Sequence, residues 1–86
     1  MAKTIFTEDH RRFIGGLKAV RRGKGITQVM LSERLGRDQS YISNLERGQR
    51  RLDVIEFASI AKAIGENPAS LYERLMNVVE GIEIDD

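Results

Sequence analysis

The strongest constraint in this 86-residue sequence is a repeated pattern of helix start and stop signals. Serine, threonine, aspartate and asparagine accept hydrogen bonds from the free amides at a helix N-terminus, and glycine ends helices in the left-handed conformation. Five segments have such a start, and glycine follows four of them. The pattern predicts helices over residues 8–22, 28–35, 39–47 and 54–64 and from 68 onwards, capped by Thr7, Thr27, Asp38, Asp53 and Asn67.

Apolar residues recur at helical spacing within these segments, and strand signals are weak, so we expect an all-α domain of five helices. The Gly15–Gly16 pair inside the first segment suggests that another helix approaches closely there. We expect an N-terminal arm at residues 1–7, one helical domain at 8–80 and an acidic tail at 81–86, with Ile82 and Ile84 alternating as in a short strand. The predicted apolar face of the fourth helix consists of Val54, Phe57, Ile60, Ala61 and Ile64.

Composition argues against several kinds of protein. Cysteine is absent and His10 is the single histidine, which argues against thiolate chemistry and zinc sites. No apolar run approaches the roughly 20 residues of a membrane span, and the N-terminus lacks the apolar core of a signal peptide. The residues suggest no pairing of a nucleophile with a base. We therefore expect a cytoplasmic protein that is not an enzyme and uses no metal or other cofactor.

The net charge of +1 conceals a strong asymmetry. Residues 1–51 contain 12 Lys or Arg and 5 Asp or Glu, a net charge of +7, whereas residues 52–86 contain 2 and 8, a net charge of −6. Such a distribution is typical of a protein whose basic part meets a polyanion, although chance solvation of two faces would also produce it.

The third predicted helix has a narrow inward side formed by Ile42, Leu45 and Glu46. Its opposite side is small and polar, whereas an ordinary solvated helix face carries Lys and Glu pairs. A helix in the DNA major groove needs short side chains for close approach, with amides and hydroxyls that recognise base edges. RNA binding is less favoured, because five Phe and Tyr residues offer few stacking platforms. The residues predicted to contact bases are Gln39, Ser40, Ser43 and Asn44, and those predicted to contact phosphates are Arg47, Arg50 and Arg51.

The stretch "GITQVMLSERLGRDQSYISNLERGQRR", residues 25–51, resembles the helix-turn-helix of Cro and lambda-repressor-like regulators, the XRE family. "SIAKAIG" at residues 59–65 is similar to that family's fourth helix, and "PASL" at 68–71 to its fifth. The resemblance covers about residues 8–76. It implies a five-helix DNA-binding domain of bacterial or phage origin that regulates transcription as a homodimer on a palindromic operator.

Residue roles also follow from the resemblance. Gln28 is expected to contact a phosphate or an outer base, and Tyr41 to contact the DNA backbone. Arg21 in the first helix is expected to form a structural ion pair with Glu46, which would explain a carboxylate on the inward side of the third helix. We expect no sensor domain after residue 86, and we therefore expect occupancy to depend on concentration and dimerisation rather than on an inducer.

The fifth segment has two neighbouring apolar stripes, more than one core needs. Both could pack internally, but we favour a symmetric dimer contact formed by one stripe and the tail. The candidate residues are Leu75, Met76, Val78, Val79 and Ile82.

A second class of function stays open at the outer face of the second helix. Val29 and Met30 are apolar where relatives usually have polar residues, so they could touch thymine methyl groups or a protein partner. The alternative function is therefore an antitoxin-type module that binds a partner protein and regulates its own promoter.

Overall fold

The computed structural model describes residues 7–81, and these form five α-helices joined by short loops. No strand occurs between residues 7 and 81, so the predicted all-α fold is confirmed for this part of the chain. The tail after Gly81, including Ile82 and the predicted strand, and the arm before Thr7 lie outside the described residues. The helices are α1 (Glu8–Gly23), α2 (Gln28–Leu35), α3 (Gln39–Glu46), α4 (Val54–Ala63) and α5 (Pro68–Val79).

The helix starts follow from local hydrogen bonds. Asp53 accepts from the Glu56 amide at 2.7 Å, and the Glu56 carboxylate accepts from the Asp53 amide at 3.1 Å, which completes a capping box. Asp38 occupies the N-cap position of α3, but its side chain makes no capping hydrogen bond. Three other predicted caps each accept from the amide three residues further on, at 3.0–3.1 Å: Thr7, Thr27 and Asn67.

The core lies where the five helices meet. α1 packs against α5 and α3, α2 packs against α3 and α4, and α4 packs against α5. Val54 is an exception to the predicted core face, because its side chain is 77% exposed. It begins α4 at the rim of an open groove rather than beneath another helix. The buried cluster comprises Ile14, Leu17, Ile26, Leu31, Ile42, Leu45, Phe57, Ile60, Ala61, Ile64, Leu71 and Leu75.

Gly16 allows α1 to approach α5 closely. A β-carbon built on Gly16 would lie 2.8 Å from Leu75 Cδ2, and Leu75 is buried. Gly15 faces open space, with no atom within 4 Å of such a carbon. The expected close approach is therefore found at one residue of the glycine pair.

The two glycines should respond in opposite ways to substitution by alanine. Gly15→Ala should raise the free energy of unfolding by about 0.5–1 kcal/mol, since alanine loses less backbone entropy in a helix. Gly16→Ala should lower it, because the added methyl group displaces Leu75 from a packed core. Urea denaturation at one fixed protein concentration measures both, and equal stabilisation by the two variants would contradict the close approach.

Candidate nucleic-acid interface

α2 and α3 form a helix-turn-helix around a glycine. Gly36 adopts a left-handed conformation with φ of 67°, and the Arg37 amide donates to the Ser32 carbonyl at 2.9 Å. These are the marks of a helix C-terminus closed by a glycine motif. The chain is then redirected at once, and Asp38 starts α3.

The packing of α3 separates its two sides. Ile42 and Leu45 are 1% and 2% exposed and anchor the helix on the core, as their spacing predicts. The residues predicted to contact bases share the outer side, where Gln39 and Ser40 are exposed and Ser43 and Asn44 are half-buried. The structure thus brings all four together on one surface.

A buried ion pair connects α3 to α1. Arg21 Nε lies 2.6 Å from Glu46 Oε2, Arg21 Nη2 lies 2.9 Å from Glu46 Oε1, and the two side chains are 7% and 8% exposed. Arg21 also donates to the Ile26 carbonyl in the loop before α2. The two-pronged geometry satisfies both charges, which a buried pair requires.

Two glutamines extend this pair to the protein surface. Gln28 Nε2 donates to Glu46 Oε1 at 2.9 Å, and Gln39 Nε2 donates to Gln28 Oε1 at 3.2 Å. The first residues of α2 and α3 are therefore linked through their side chains. Gln28, predicted to contact phosphate, here positions Gln39 as well.

A cationic cluster surrounds Tyr41 at the side of this surface. The guanidinium carbons of Arg37 and Arg50 lie 4.3 Å and 4.5 Å from the centre of the Tyr41 ring. Glu56 Oε2 lies 2.8 Å from Arg50 Nη2 and 3.9 Å from Arg37 Nη2. Burial and the Glu56 carboxylate raise the pKa of Tyr41, so its hydroxyl stays protonated at neutral pH.

Sequence analysis did not identify Arg37 or Glu56 as part of the site. Arg37 lies in the turn between α2 and α3, and its position beside Tyr41 depends on how that turn folds. Glu56 completes the capping box of α4, and this local role gives no sequence signal of a second role as a partner for arginine.

The remaining predicted phosphate contacts are both exposed: Arg47 directly follows α3, and Arg51 lies in the loop before α4. Arg47 donates a hydrogen bond to Asn44 Oδ1, so a predicted phosphate contact and a predicted base contact touch each other. On the outer face of α2, Val29 and Met30 are 45% and 36% exposed.

The predicted dimer contact on α5 needs correction at two residues. Leu75 and Val79 are 2% and 7% exposed, because they share the inward face of α5 with Leu71. Both side chains pack within the monomer, and of the two only Val79 reaches the groove described below. Met76 is half-buried and Val78 is 50% exposed, so these two side chains remain accessible.

An open groove of about 290 Å³ lies between α1, the start of α4 and α5. Phe13, Phe57 and Tyr72 form its aromatic floor, with ring centroids 5.4–6.2 Å apart. Val54 and Met76 also line it, whereas Val78 does not. We call Val54, Tyr72 and Met76 the groove surface.

Two other properties bear on the kind of site. No helix in residues 7–81 is long and apolar enough to cross a membrane. Over the same residues, no three His, Cys, Asp or Glu side chains are grouped as a metal site would require.

The helix-turn-helix and the short-chained outer face of α3 are those of a DNA-binding transcriptional regulator. The helix-turn-helix family profile matches residues 17–71. An uncharacterised HTH-type transcriptional regulator of Sinorhizobium fredii, y4dJ, is 41% identical over 64 residues, which are 73% of this chain and 83% of that protein.

Solved structures show the same similarity. An XRE-family like protein from Pseudomonas syringae is 41% identical with a TM-score of 0.75, over 79% of this chain and 83% of that one. The restriction-modification controller C.Esp1396I, solved as a tetramer with its natural 35 base-pair operator, is 25% identical with a TM-score of 0.79, over 87% and 99% of the two chains. The controller C.AhdI from Aeromonas hydrophila is 32% identical with a TM-score of 0.69, over 76% and 98%. This chain belongs to the XRE family of helix-turn-helix transcriptional regulators.

Removing one partner of the buried ion pair should destabilise the fold strongly. Glu46→Ala leaves Arg21 charged and buried, which we expect to cost about 3–5 kcal/mol in the free energy of unfolding. The double variant Arg21→Met/Glu46→Leu should recover most of this loss, since it leaves no charge unpaired. Urea denaturation of both variants makes the comparison, and a loss below about 1 kcal/mol for Glu46→Ala would show that the pair is not needed.

Proposed function

We propose that this protein is a sequence-specific regulator that binds duplex DNA as a homodimer on a palindromic operator. α3 enters the major groove, and its outer side recognises bases through Gln39, Ser40, Ser43 and Asn44. The observation that carries this proposal is the series of hydrogen bonds that runs from the buried ion pair through Gln28 to Gln39. It holds an amide at the start of α3 before any ligand binds.

The geometry of Gln39 suits recognition of adenine. One Nε2 hydrogen is donated to Gln28, which leaves the second hydrogen and the carbonyl oxygen of the amide. Adenine presents N7 as an acceptor and N6 as a donor in the major groove, and a glutamine amide pairs with both. The internal hydrogen bond lowers the entropy lost when this pairing forms.

Phosphate contacts flank this surface on two sides. Tyr41 and Arg50 lie beside the first half of α3, whereas Arg47 lies at its end and Arg51 follows in the loop before α4. Contacts to the backbone on both sides fix the register of α3 in the groove, and the contacts to base edges then provide specificity. The N-terminus of α2, which begins at Gln28, presents free backbone amides to a DNA phosphate.

The homodimer is supported by the groove surface. Val54 at the rim of the groove and Tyr72 in its aromatic floor are 77% and 50% exposed, which is apolar surface that a second copy would cover. The operator-bound tetramer of C.Esp1396I shows that a similar fold assembles on DNA in a relative. A two-fold symmetric dimer would present two α3 helices to the two half-sites of a palindrome.

Base and phosphate contacts should respond differently to substitution. Gln39→Ala and Asn44→Ala should relax sequence preference, each losing about 1–3 kcal/mol of discrimination at one base position. Arg50→Ala should instead weaken all duplexes alike and reduce the slope of log K against log salt by about 0.9.

Selection from random duplexes, followed by salt titration of the enriched site, measures both effects. The wild type should enrich a motif with two-fold symmetry. If Asn44→Ala kept the full preference of the wild type, α3 would not occupy the groove in the proposed orientation. A wild type that enriched no motif would contradict sequence-specific regulation.

The dimer contact can be tested with two neighbouring residues of α4. Val54→Asp should convert the dimer to monomer, because it puts a charge on the groove surface. Aspartate is favourable in the first turn of a helix, so the fold should persist. Ile55→Asp is the matched control, since Ile55 is 73% exposed in the same turn but does not line the groove. Sedimentation analysis of both variants distinguishes monomer from dimer. A Val54→Asp variant that stayed dimeric would place the dimer contact elsewhere.

A further inference from the structure

The cluster around Tyr41 joins two loops that are separate in the sequence. Arg37 comes from the turn between α2 and α3, and Arg50 from the loop between α3 and α4. Both guanidinium groups lie within 4.5 Å of the centre of the Tyr41 ring, close enough for cation–π attraction. Two positive charges are therefore held together on one aromatic side chain.

Glu56 is the carboxylate that compensates these charges. Its Oε2 accepts from Arg50 at 2.8 Å and lies 3.9 Å from Arg37, while its Oε1 accepts the Asp53 amide. The Glu56 side chain is 18% exposed, whereas those of Arg37 and Arg50 are 48% and 39% exposed. Arg50 Nε is buried and has no hydrogen-bond partner among the described residues. The exposed parts of Arg37 and Arg50 are thus accessible to an external anion, whereas the buried Arg50 Nε is not.

We propose that Arg37 and Arg50 form a two-arginine phosphate site and that Glu56 occupies this site as an internal competitor when DNA is absent. This inference rests on the proposed function, because the phosphate belongs to duplex DNA. Guanidinium groups bind phosphate and carboxylate with the same planar donors, so a DNA phosphate can replace the Glu56 oxygen at Arg50 and Arg37. Tyr41 is the positioning residue that keeps both groups in place during the exchange.

The position of the cluster favours phosphate over a base as its ligand. It lies beside α3, not on the outer side that holds Ser40 and Ser43. Arg37 and Arg50 are held against the Tyr41 ring and the Glu56 carboxylate, so they cannot reach base edges inside the DNA major groove. They can reach the phosphate backbone that borders the major groove. Glu56 therefore weakens binding to every duplex by a similar factor, and it leaves sequence preference unchanged.

The decisive variant is Glu56→Gln. Glutamine keeps the third position of the capping box, so α4 keeps its start. We expect binding to become about three- to tenfold tighter, because the phosphate no longer competes with a carboxylate. The gain should be equal on the selected duplex and on a scrambled duplex of the same length.

Glu66→Gln is the matched control for loss of one negative charge. Glu66 has a side chain 17% exposed and pairs with Lys24 and Arg74 at 3.0 Å and 2.9 Å, away from the Tyr41 cluster. A general change in the electrostatic field would tighten binding in both variants to the same extent. A specific competitor requires a larger gain for Glu56→Gln.

The second measurement tests whether the effect of Glu56→Gln on DNA affinity depends on Arg37 and Arg50. In the Arg37→Ala/Arg50→Ala background the gain from Glu56→Gln should disappear. Arg37→Ala alone should reduce the slope of log K against log salt by about 0.9, the effect of one phosphate contact. Fluorescence anisotropy with labelled duplexes measures all variants at one salt concentration and then across a salt series.

The outcomes separate this inference from the proposed function. Equal gains in affinity for Glu56→Gln and Glu66→Gln would contradict the proposal that Glu56 competes with DNA phosphate. A gain for Glu56→Gln that persists without Arg37 and Arg50 would contradict it as well. A wild type that binds duplexes but enriches no motif would contradict sequence-specific regulation only, because the phosphate site is tested equally well on the scrambled duplex.

Discussion

The buried pair of Arg21 and Glu46 is the interaction on which the candidate site depends. Each charge would be costly in the core without the other, so the pair forces α1 and α3 into one relative position. Its unused hydrogen-bonding capacity then orders the surface, since Gln28 binds Glu46 and Gln39 binds Gln28. An interaction that adds little net stability in general thus sets the geometry of an amide at the start of α3.

Local signals in the sequence predicted most of the fold. Caps and glycine stops depend on residues within one turn, and every helix begins at the predicted residue. Burial on α5 was predicted less well. The two predicted stripes were Leu71, Leu75, Val78 and Ile82, and Tyr72, Met76 and Val79. The structure buries members of both, Leu71, Leu75 and Val79, while exposing Tyr72 and Val78, because the period alone does not fix which side of α5 faces the neighbouring helices.

The candidate site was predictable where short polar side chains share one helix face, and less so where distant loops meet. The outer side of α3 follows from the 3.6-residue period and needs no tertiary information. The Tyr41 cluster depends instead on two loops that converge after the helices pack. A carboxylate with a sufficient local role, such as Glu56 in its capping box, gives no sequence signal of a second partner.

The charge asymmetry of the sequence takes on a different meaning in three dimensions. Ion pairs connect the basic residues of 1–51 with the acidic residues of 52–86: Glu56 lies beside Arg37 and Arg50, and Glu66 pairs with Lys24. The acidic second half therefore compensates part of the basic first half, so the positive field that DNA meets is smaller than a charge of +7 suggests. A weaker long-range field lowers binding to every duplex by a similar factor, because all duplexes present the same phosphates. Sequence preference is then left to the proposed contacts of α3 with base edges, which this compensation does not alter.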